Sequence, residues 1–491
     1  MKNLILKNDF YKCSMINTTK NKIITRFAPS PTGELHLGGA RTALFNYLFS
    51  VQSKGKFFLR IEDTDKKRSN KIFEQNIIDT LIWLGINWDD KIFYQSKRIH
   101  RYQEVAFNML KNDLAYYCFT TQDEINNQRN LAISKKKPFI FKSSWRLADK
   151  KTYPKDRKPV IRLKVKQDCK IILQDTLQGI IKVNSTEVDD MVLLRQDLSP
   201  TYMLASVVDD HDMNITHIIR GDDHLTNAIR QVVIYNSLNW QIPVMTHIPL
   251  VADENGSKLS KRSGAKSVLE YKKLGYLAES VCNHLIKLGW SHKNQEIISF
   301  KEQKKFFNLQ SLNKSKASIN HDKMQYLNLH YINKLNPQQL FDQIISIIKE
   351  KYSISVKESI RIKNAIKYIQ NRGKLLNNIA EEALIYLDIY PFSYEKEARE
   401  NIIELNDKIF HLLKKTLSNI EEKDFLKDSL LISLKDVAKN NNLSLKDLLI
   451  PLRSMMLGKT KSMSIVSVLE IIGKGLTINR INRASQLFRI F

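Results

Sequence analysis

The stretch Arg26–Asp65 reads RFAPSPTGELHLGGARTALFNYLFSVQSKGKFFLRIEDTD. Thr25 to Pro29 reads as the end of a β-strand, and Pro29, Pro31 and Gly33 break it into a loop. From Gly39 to Phe49 apolar residues recur at helical spacing, so the chain runs strand, Gly/Pro loop, helix. His36 and the pair Gly38-Gly39 therefore sit at a helix N-terminus. Backbone N–H groups are unpaired there, the helix dipole is positive, and glycine admits close approach, all of which suits phosphate oxygens. Glu62, near the end of the stretch, adds a carboxylate able to hold an amine. A second basic signature, Lys258-Leu-Ser-Lys-Arg262, lies far downstream. Taken singly, the first would be a tight turn with a surface histidine and the second a charged surface turn; their joint occurrence points to nucleotide chemistry.

On these residues the chain resembles bacterial glutamyl-tRNA synthetases, which are class I aminoacyl-tRNA synthetases. Pro29-Ser-Pro-Thr-Gly-Glu-Leu-His-Leu-Gly-Gly39 resembles the ATP-binding HIGH motif of that class, and Lys258-Leu-Ser-Lys-Arg262 its KMSKS motif. The match extends through Phe58-Leu-Arg-Ile-Glu-Asp-Thr-Asp65, Val207-Val-Asp-Asp210, Ile218-Ile-Arg-Gly-Asp-Asp-His224 and Asp322-Lys-Met-Gln-Tyr326. The resemblance implies an α/β fold: a Rossmann-like parallel sheet, 22–100 with 203–257, split by an inserted α+β acceptor-binding domain at 101–202. A KMSKS-loop and stem-contact domain at 258–333 and an all-α anticodon-binding region at 334–491 follow. Residues 1–21 are read as a tail, either disordered or untranslated, with Met15 as the alternative start.

By the same resemblance, ATP is held by Pro29, Ser30, Gly33, His36, Gly38, Gly39, Asp223, Lys258, Ser260, Lys261 and Arg262. His36, Lys258 and Lys261 are the catalytic members, the lysines stabilising charge as pyrophosphate leaves. Gly256 and Gly264 flank the second motif as hinges, so that Lys261 closes on bound ATP. Glutamate, with two carboxylates and one ammonium, is assigned to Arg26, Ala28, Ser30, Glu62, Tyr202 and Arg220. Planar guanidinium forks of Arg26 and Arg220 suit its side-chain carboxylate, and Glu62 suits its ammonium. Val207–Asp210 is placed near the reactive end. Two departures from some relatives stand out: Ser206 replaces an asparagine and His224 a tryptophan.

The 491 residues carry 78 Lys+Arg against 51 Asp+Glu, a net charge of +27 that suits a polyanion such as tRNA. A compositional bias toward lysine accounts for the same excess, so charge supports RNA binding without proving it. Cys13, Cys118, Cys169 and Cys282 are isolated, with neither disulfide nor zinc spacing, and no zinc is expected. Mg²⁺ is expected on the nucleotide's phosphates, with no metal ligand from the protein. No apolar run reaches the roughly 20 residues of a membrane span; the isolated cysteines lead to the expectation of a reducing cytoplasm, and the resemblance implies a monomer. No histidine–carboxylate pair or serine nucleophile stands out, and His284, His321 and His330 read as structural.

The strand-like runs Val160–Val165, Gly179–Val183 and Ile215–Ile219 and the helix-like runs Phe73–Leu84 and Thr226–Leu238 fit the α/β part. Leu340, Phe341, Ile344, Ile345 and Ile348 form one apolar helical stripe, and Ile402, Ile403, Leu405, Ile409, Leu412, Leu413 and Leu417 another. Three alternatives remain: a shortened relative glutamylating a modified tRNA base, a glutaminyl enzyme, and a binding-only tRNA-binding paralogue. The long helical C-terminal part, Ala28-Pro-Ser-Pro31 with Gly38-Gly-Ala-Arg41, and the intact phosphate motifs weigh against these in turn. Whether tRNA-Glu alone or also tRNA-Gln is charged is not readable from motifs; Arg372 is the candidate for reading the anticodon.

Overall fold

The structure is a computed structural model that describes residues 22–488 apart from 66, 255, 258–265 and 462. The expected N-terminal tail, the Lys258–Arg262 motif with Ser260 and Lys261, and Gly264 lie outside the described residues.

The chain forms two compact units, one comprising residues up to Lys272 together with Ala278–Met324, the other Lys273–Leu277 with Gln325–Phe491. Strands of the first unit are β1 (Ile24–Phe27), β2 (Lys56–Ile61), β3 (Phe93–Tyr94), β4 (Ala115–Cys118), β5 (Val160–Leu163), β6 (Lys170–Asp175), β7 (Gly179–Asn184), β8 (Val192–Leu194), β9 (His217–Gly221), β10 (Val244–Ile248), β11 (Val251–Ala252) and β12 (Ala317–Ser318). Its principal helices are α1 (Leu37–Gln52), α2 (Lys71–Trp83), α3 (Ile99–Lys111), α4 (Gln122–Ser134), α5 (Tyr202–Asp212) and α6 (Leu225–Ser237).

β1 pairs parallel with β2, β2 with β3, and β9 with β10. The two halves meet at Thr216, whose N–H donates to Ile24 O at 3.0 Å and whose Oγ1 accepts the Ile24 N–H at 2.8 Å. Parallel strands need crossovers: α1 joins β1 to β2, α2 lies between β2 and β3, and α6 joins β9 to β10. Strand order runs outward in opposite directions from the β1/β9 junction. In an open α/β sheet the crevice beyond the carboxyl ends of the strands at such a reversal is where ligands bind.

β6 pairs in parallel with β10 at Asp175 and Met245, and β7 pairs antiparallel with β6. The stretch 101–202 therefore contributes two strands to the sheet carrying β9 and β10, as well as the separate antiparallel sheet β4-β5-β8. Tyr102, Val105, Met109, Leu163, Leu173, Leu204, Val208, Val232 and Met245 share one apolar core across these elements. Cys118 packs with Tyr116 and Phe141 in a smaller cluster, its Sγ 3.4 Å from Thr120 Oγ1 and from Ser143 Oγ.

Local departures from the sequence reading have local causes. The strand expected at Ile215–Ile219 forms at His217–Gly221. The preceding residues end α5 instead: Asn214 takes φ +53°, and the Ile215 N–H returns to Asp210 O at 2.8 Å. In the second unit the stripe drawn from Ile402 to Leu417 is cut. One helix ends at Ile403, itself exposed, and the next starts at Asp407, with the Asn406 side chain accepting from Lys408 N–H at 2.9 Å. The stripe around Leu340, Ile344 and Ile348 is buried within Pro337–Lys349, as periodicity indicated.

Gly55 marks a point where backbone closeness governs the sheet: a Cβ there would lie 2.2 Å from Ile23 O, the atom that accepts the Lys56 N–H at 2.8 Å. Gly55→Ala is expected to destabilise the first unit by about 1–3 kcal/mol, read as a lowered thermal midpoint; an unchanged midpoint contradicts this account of β1–β2 packing.

Candidate active site

Four strand ends converge on one crevice. Arg26, Arg220 and His247 are the penultimate residues of β1, β9 and β10, and Glu62 follows β2. Tyr202 opens α5 on the same side, where its phenol feels the charges of Arg220, Glu62 and Arg26. The loop after β1 is fixed by Glu62 N–H donating to Pro29 O at 3.0 Å and Asn70 N–H to Pro31 O at 3.0 Å. Within that loop Pro31 and Gly33 are buried, Ala28 and Pro29 half-buried, and Ser30 exposed.

His36 is the N-cap of α1, and its Nδ1 accepts the Gly39 N–H at 3.3 Å. A ring that accepts at Nδ1 carries its proton at Nε2, so any hydrogen bond the imidazole donates comes from Nε2. A Cβ on Gly38 would press on the His36 ring at 3.2 Å, and one on Gly39 would displace Leu35 Cδ1, 2.6 Å away. His36 also bridges to Ser267, and Val251 stands 3.9 Å from a Cβ placed on Gly38. The described residues on both sides of the second motif thus lie beside the turn. Arg41, buried, straps α1 in place by donating to Leu288 O at 2.9 Å and Pro249 O at 2.6 Å, and burial pulls its pKa down to about 10.

The charged centre is a chain of ion pairs out of water. Asp210 Oδ1 accepts from Arg26 Nε at 2.9 Å and from Arg60 Nη1 at 2.6 Å, and Oδ2 accepts from Arg26 Nη2 at 3.3 Å. Arg60 reaches Glu62 Oε1 at 3.1 Å through Nη2. Burial works against the Asp210 carboxylate, but the two guanidinium groups prevail and hold its pKa below the usual range. For Glu62 the balance reverses: burial raises its pKa, against the pull of Arg60 and Arg26. Asp209 Oδ2 lies 3.9 Å from Arg60 Nε, and its carboxylate accepts hydrogen bonds from Tyr102 Oη at 2.9 Å, Gln95 Nε2 at 2.9 Å and Arg98 Nε at 2.7 Å. Ser206 Oγ lies 3.5 Å from Arg60 Nη2, on the supporting side of the network.

Arg220 differs from its neighbours. Its Nε donates to His247 Nε2 at 3.0 Å, Nη1 to Tyr202 Oη at 3.4 Å and Nη2 to Gln231 Oε1 at 2.7 Å. Every one of these acceptors is neutral, and no carboxylate among the described residues pairs with it. Burial lowers its pKa, as it does that of a cation left without a counter-charge.

Arg26, Ser30, Glu62, Tyr202 and Arg220 are therefore gathered around the strand ends, with His36, Gly38 and Gly39 at the head of the adjoining helix. Asp223 folds back toward Gly221, where a Cβ would meet its Oδ1 at 2.6 Å, and half-buried His224 lies 6.2 Å from the Tyr202 ring. Arg372 belongs to the second unit, where Nε pairs with Glu382 Oε2 at 3.0 Å while Lys459 takes Glu382 Oε1 at 3.0 Å. The sequence reading found no histidine–carboxylate pair; the structure forms one, His247 Nδ1 to Asp175 Oδ2 at 2.6 Å. It also missed Arg60 and Gln231. A charged residue inside the apolar run Phe57-Phe58-Leu59-Arg60-Ile61 was the available signal for Arg60.

Two family models match the chain: tRNA synthetases class I (E and Q), catalytic domain, over residues 22–326, and an anticodon binding domain over 332–485. The chain belongs to this family of class I tRNA synthetases. Among curated relatives, glutamate–tRNA ligase 2 of Rickettsia felis is 50% identical over 94% of this chain and 99% of its own length. The protein of the same name from Rickettsia typhi is 50% identical over 94% and 98%. Among solved structures, the glutamate tRNA ligase of Elizabethkingia meningosepticum in complex with its amino acid superposes with a TM-score of 0.81 at 29% identity, covering 95% of this chain and 99% of that one.

Asp210→Asn is expected to cost about 3–5 kcal/mol, because it leaves buried guanidinium charge uncompensated. The native pKa of Asp210 is depressed, so its stabilising contribution is present above the unfolded value of about 3.9 and is lost as pH falls through the lower native value. Denaturant titrations should show the gap between wild type and variant constant above about pH 4 and closing only below it; a gap that already closes above that range, or that persists undiminished well below it, would contradict the assignment.

Proposed function

We propose that this chain is a glutamate–tRNA ligase, which activates L-glutamate with ATP to glutamyl-adenylate and passes the glutamate to the 3′-terminal adenosine of tRNA-Glu. The observation that carries the reading is the contrast between Arg220, a buried cation held only by neutral acceptors, and Glu62, a buried carboxylate in the same crevice. A ligand that satisfies both must present an anion and a cation, as glutamate does with its side-chain carboxylate and α-ammonium. Arg220 and Tyr202 hold the carboxylate, with Arg26 Nη1, the donor that Asp210 does not occupy, beside them. Glu62 holds the ammonium, and Ser30 and Ala28 line the loop above.

In the first step an oxygen of the α-carboxylate attacks the α-phosphorus and pyrophosphate departs; in the second a ribose hydroxyl attacks the acyl carbon and AMP departs. Neither step needs a covalent enzyme intermediate, so the protein contributes alignment and cationic stabilisation. Pro29, Gly33, His36, Gly38 and Gly39 at the α1 terminus take the phosphate side, with Asp223 on the nucleoside side. From the second motif Lys258, Ser260, Lys261 and Arg262 are assigned to the leaving pyrophosphate. Mg²⁺ supplies charge screening on the phosphates it accompanies. We further propose a cytoplasmic monomer.

The direct test is charging with labelled glutamate on purified tRNA-Glu and tRNA-Gln in parallel, with ATP and Mg²⁺. Charging of tRNA-Glu is the expected result. If tRNA-Gln is charged as well, the enzyme supplies an amidotransferase route and Arg372 does not discriminate; if neither is charged, the protein only binds tRNA and the proposal fails.

A pH dependence follows from Glu62. Only its ionised form attracts the ammonium, and burial raises its pKa, so KM for glutamate should rise as pH falls through that raised value. Glu62→Gln should raise KM by about tenfold or more and flatten its acid limb, whereas an unaltered pH profile in the variant would place the ammonium elsewhere.

A further inference from the structure

Arg220 is oriented from behind by a residue pair that belongs to none of the motifs. Asp175 ends β6 and caps the turn into β7: its Oδ1 accepts the N–H groups of Leu177 at 2.9 Å and Gln178 at 2.7 Å. Its Oδ2 accepts the backbone N–H of His247 at 3.0 Å and contacts His247 Nδ1 at 2.6 Å. On the other side of the ring, Nε2 lies 3.0 Å from Arg220 Nε.

The proton positions in this chain are fixed by its ends. Arginine can only donate, so His247 Nε2 must accept; an ionised carboxylate can only accept, so Nδ1 must carry the hydrogen. One neutral tautomer of a fully buried imidazole satisfies both. Gln231 and Tyr202 repeat the principle at the other two nitrogens of Arg220. Arg26 shows the alternative, because its Nε and Nη2 are taken by the carboxylate of Asp210 and its charge is largely cancelled locally.

We propose that His247, oriented by Asp175, is a positioning and specificity-determining residue that aims Arg220 while leaving its charge uncancelled for the side-chain carboxylate of the substrate. A carboxylate in place of the imidazole would hold Arg220 equally well but would neutralise it, and an incoming anion would then compete with an internal ion pair. An apolar residue would leave Nε without its acceptor and free the guanidinium to turn. The Asp175–His247 pair thus carries orientation from the turn between β6 and β7 to the anion-binding end of the crevice. This inference rests on the assignment of Arg220 to the glutamate side chain.

The test is steady-state aminoacylation by the full chain with tRNA present, measuring kcat and the separate KM values for glutamate and ATP in wild type, His247→Leu, His247→Gln and His247→Glu. Glutamine keeps an acceptor near the Nε2 position, so His247→Gln should stay within about threefold of wild type in all three parameters. His247→Leu should raise KM for glutamate about tenfold or more, with kcat and KM for ATP within about threefold. His247→Glu should raise KM for glutamate at least as far, by neutralising Arg220. Parallel losses in kcat and both KM values, or failure of glutamine to rescue where leucine fails, would show a purely structural residue and overturn the proposal. If leucine does not yield folded protein, glutamine against glutamate at position 247 supplies the same comparison, with unequal KM for glutamate expected and equal KM overturning it. A wild-type chain that charges no glutamate would instead remove the assignment beneath the proposal.

Discussion

Asp210, buried between the guanidinium groups of Arg26 and Arg60, solves the electrostatic problem on which the crevice depends. Three arginines from three different strands end at nearly the same place. Buried like charges repel strongly at low effective dielectric, and each cation loses its hydration. Asp210 from α5 faces two of them, and Glu62 and Asp209 add further anions to Arg60. The strand ends can then approach closely enough to form a binding crevice instead of being forced apart.

The compensation is uneven, and its unevenness has chemical meaning. Arg60 is spent wholly on structure, among Asp210, Glu62 and Asp209. Arg26 is half engaged, keeping one nitrogen outside its pair with Asp210. Arg220 is held by an imidazole, a phenol and an amide, which set its direction and leave its charge in place. The gradient from cancelled to uncancelled charge across the β2–β1–β9 ends separates scaffold from receptor among residues of the same type. Beside it, α1 begins with His36 turned back on its own helix terminus, so the phosphate-facing turn is stiffened by the residue proposed to act there.

Much of this was legible before any coordinates. Strand, Gly/Pro loop and helix followed from residues 25–49, and the helix terminus at His36-Leu-Gly-Gly39 is where local patterning placed it. These features depend on backbone rules acting over a few residues, where sequence neighbours are also spatial neighbours. The same rules erred where a tertiary or capping contact decided the outcome. Asn214 and Ile215 close α5 instead of opening β9, and Asn406 starts a new helix inside what periodicity joined into one.

The sequence by itself determined the elements, the apolar faces and the types of residue able to handle phosphate, carboxylate and ammonium. Only the tertiary structure decided which charges face one another. Asp210 meets Arg26 across 184 residues, and Asp175 meets His247 across 72. No local pattern encodes such pairings, because a carboxylate in a helix or turn reads the same whether it faces solvent or a buried guanidinium. The order in which strands are laid into the sheet makes that choice, and with it decides which arginine remains charged toward a ligand.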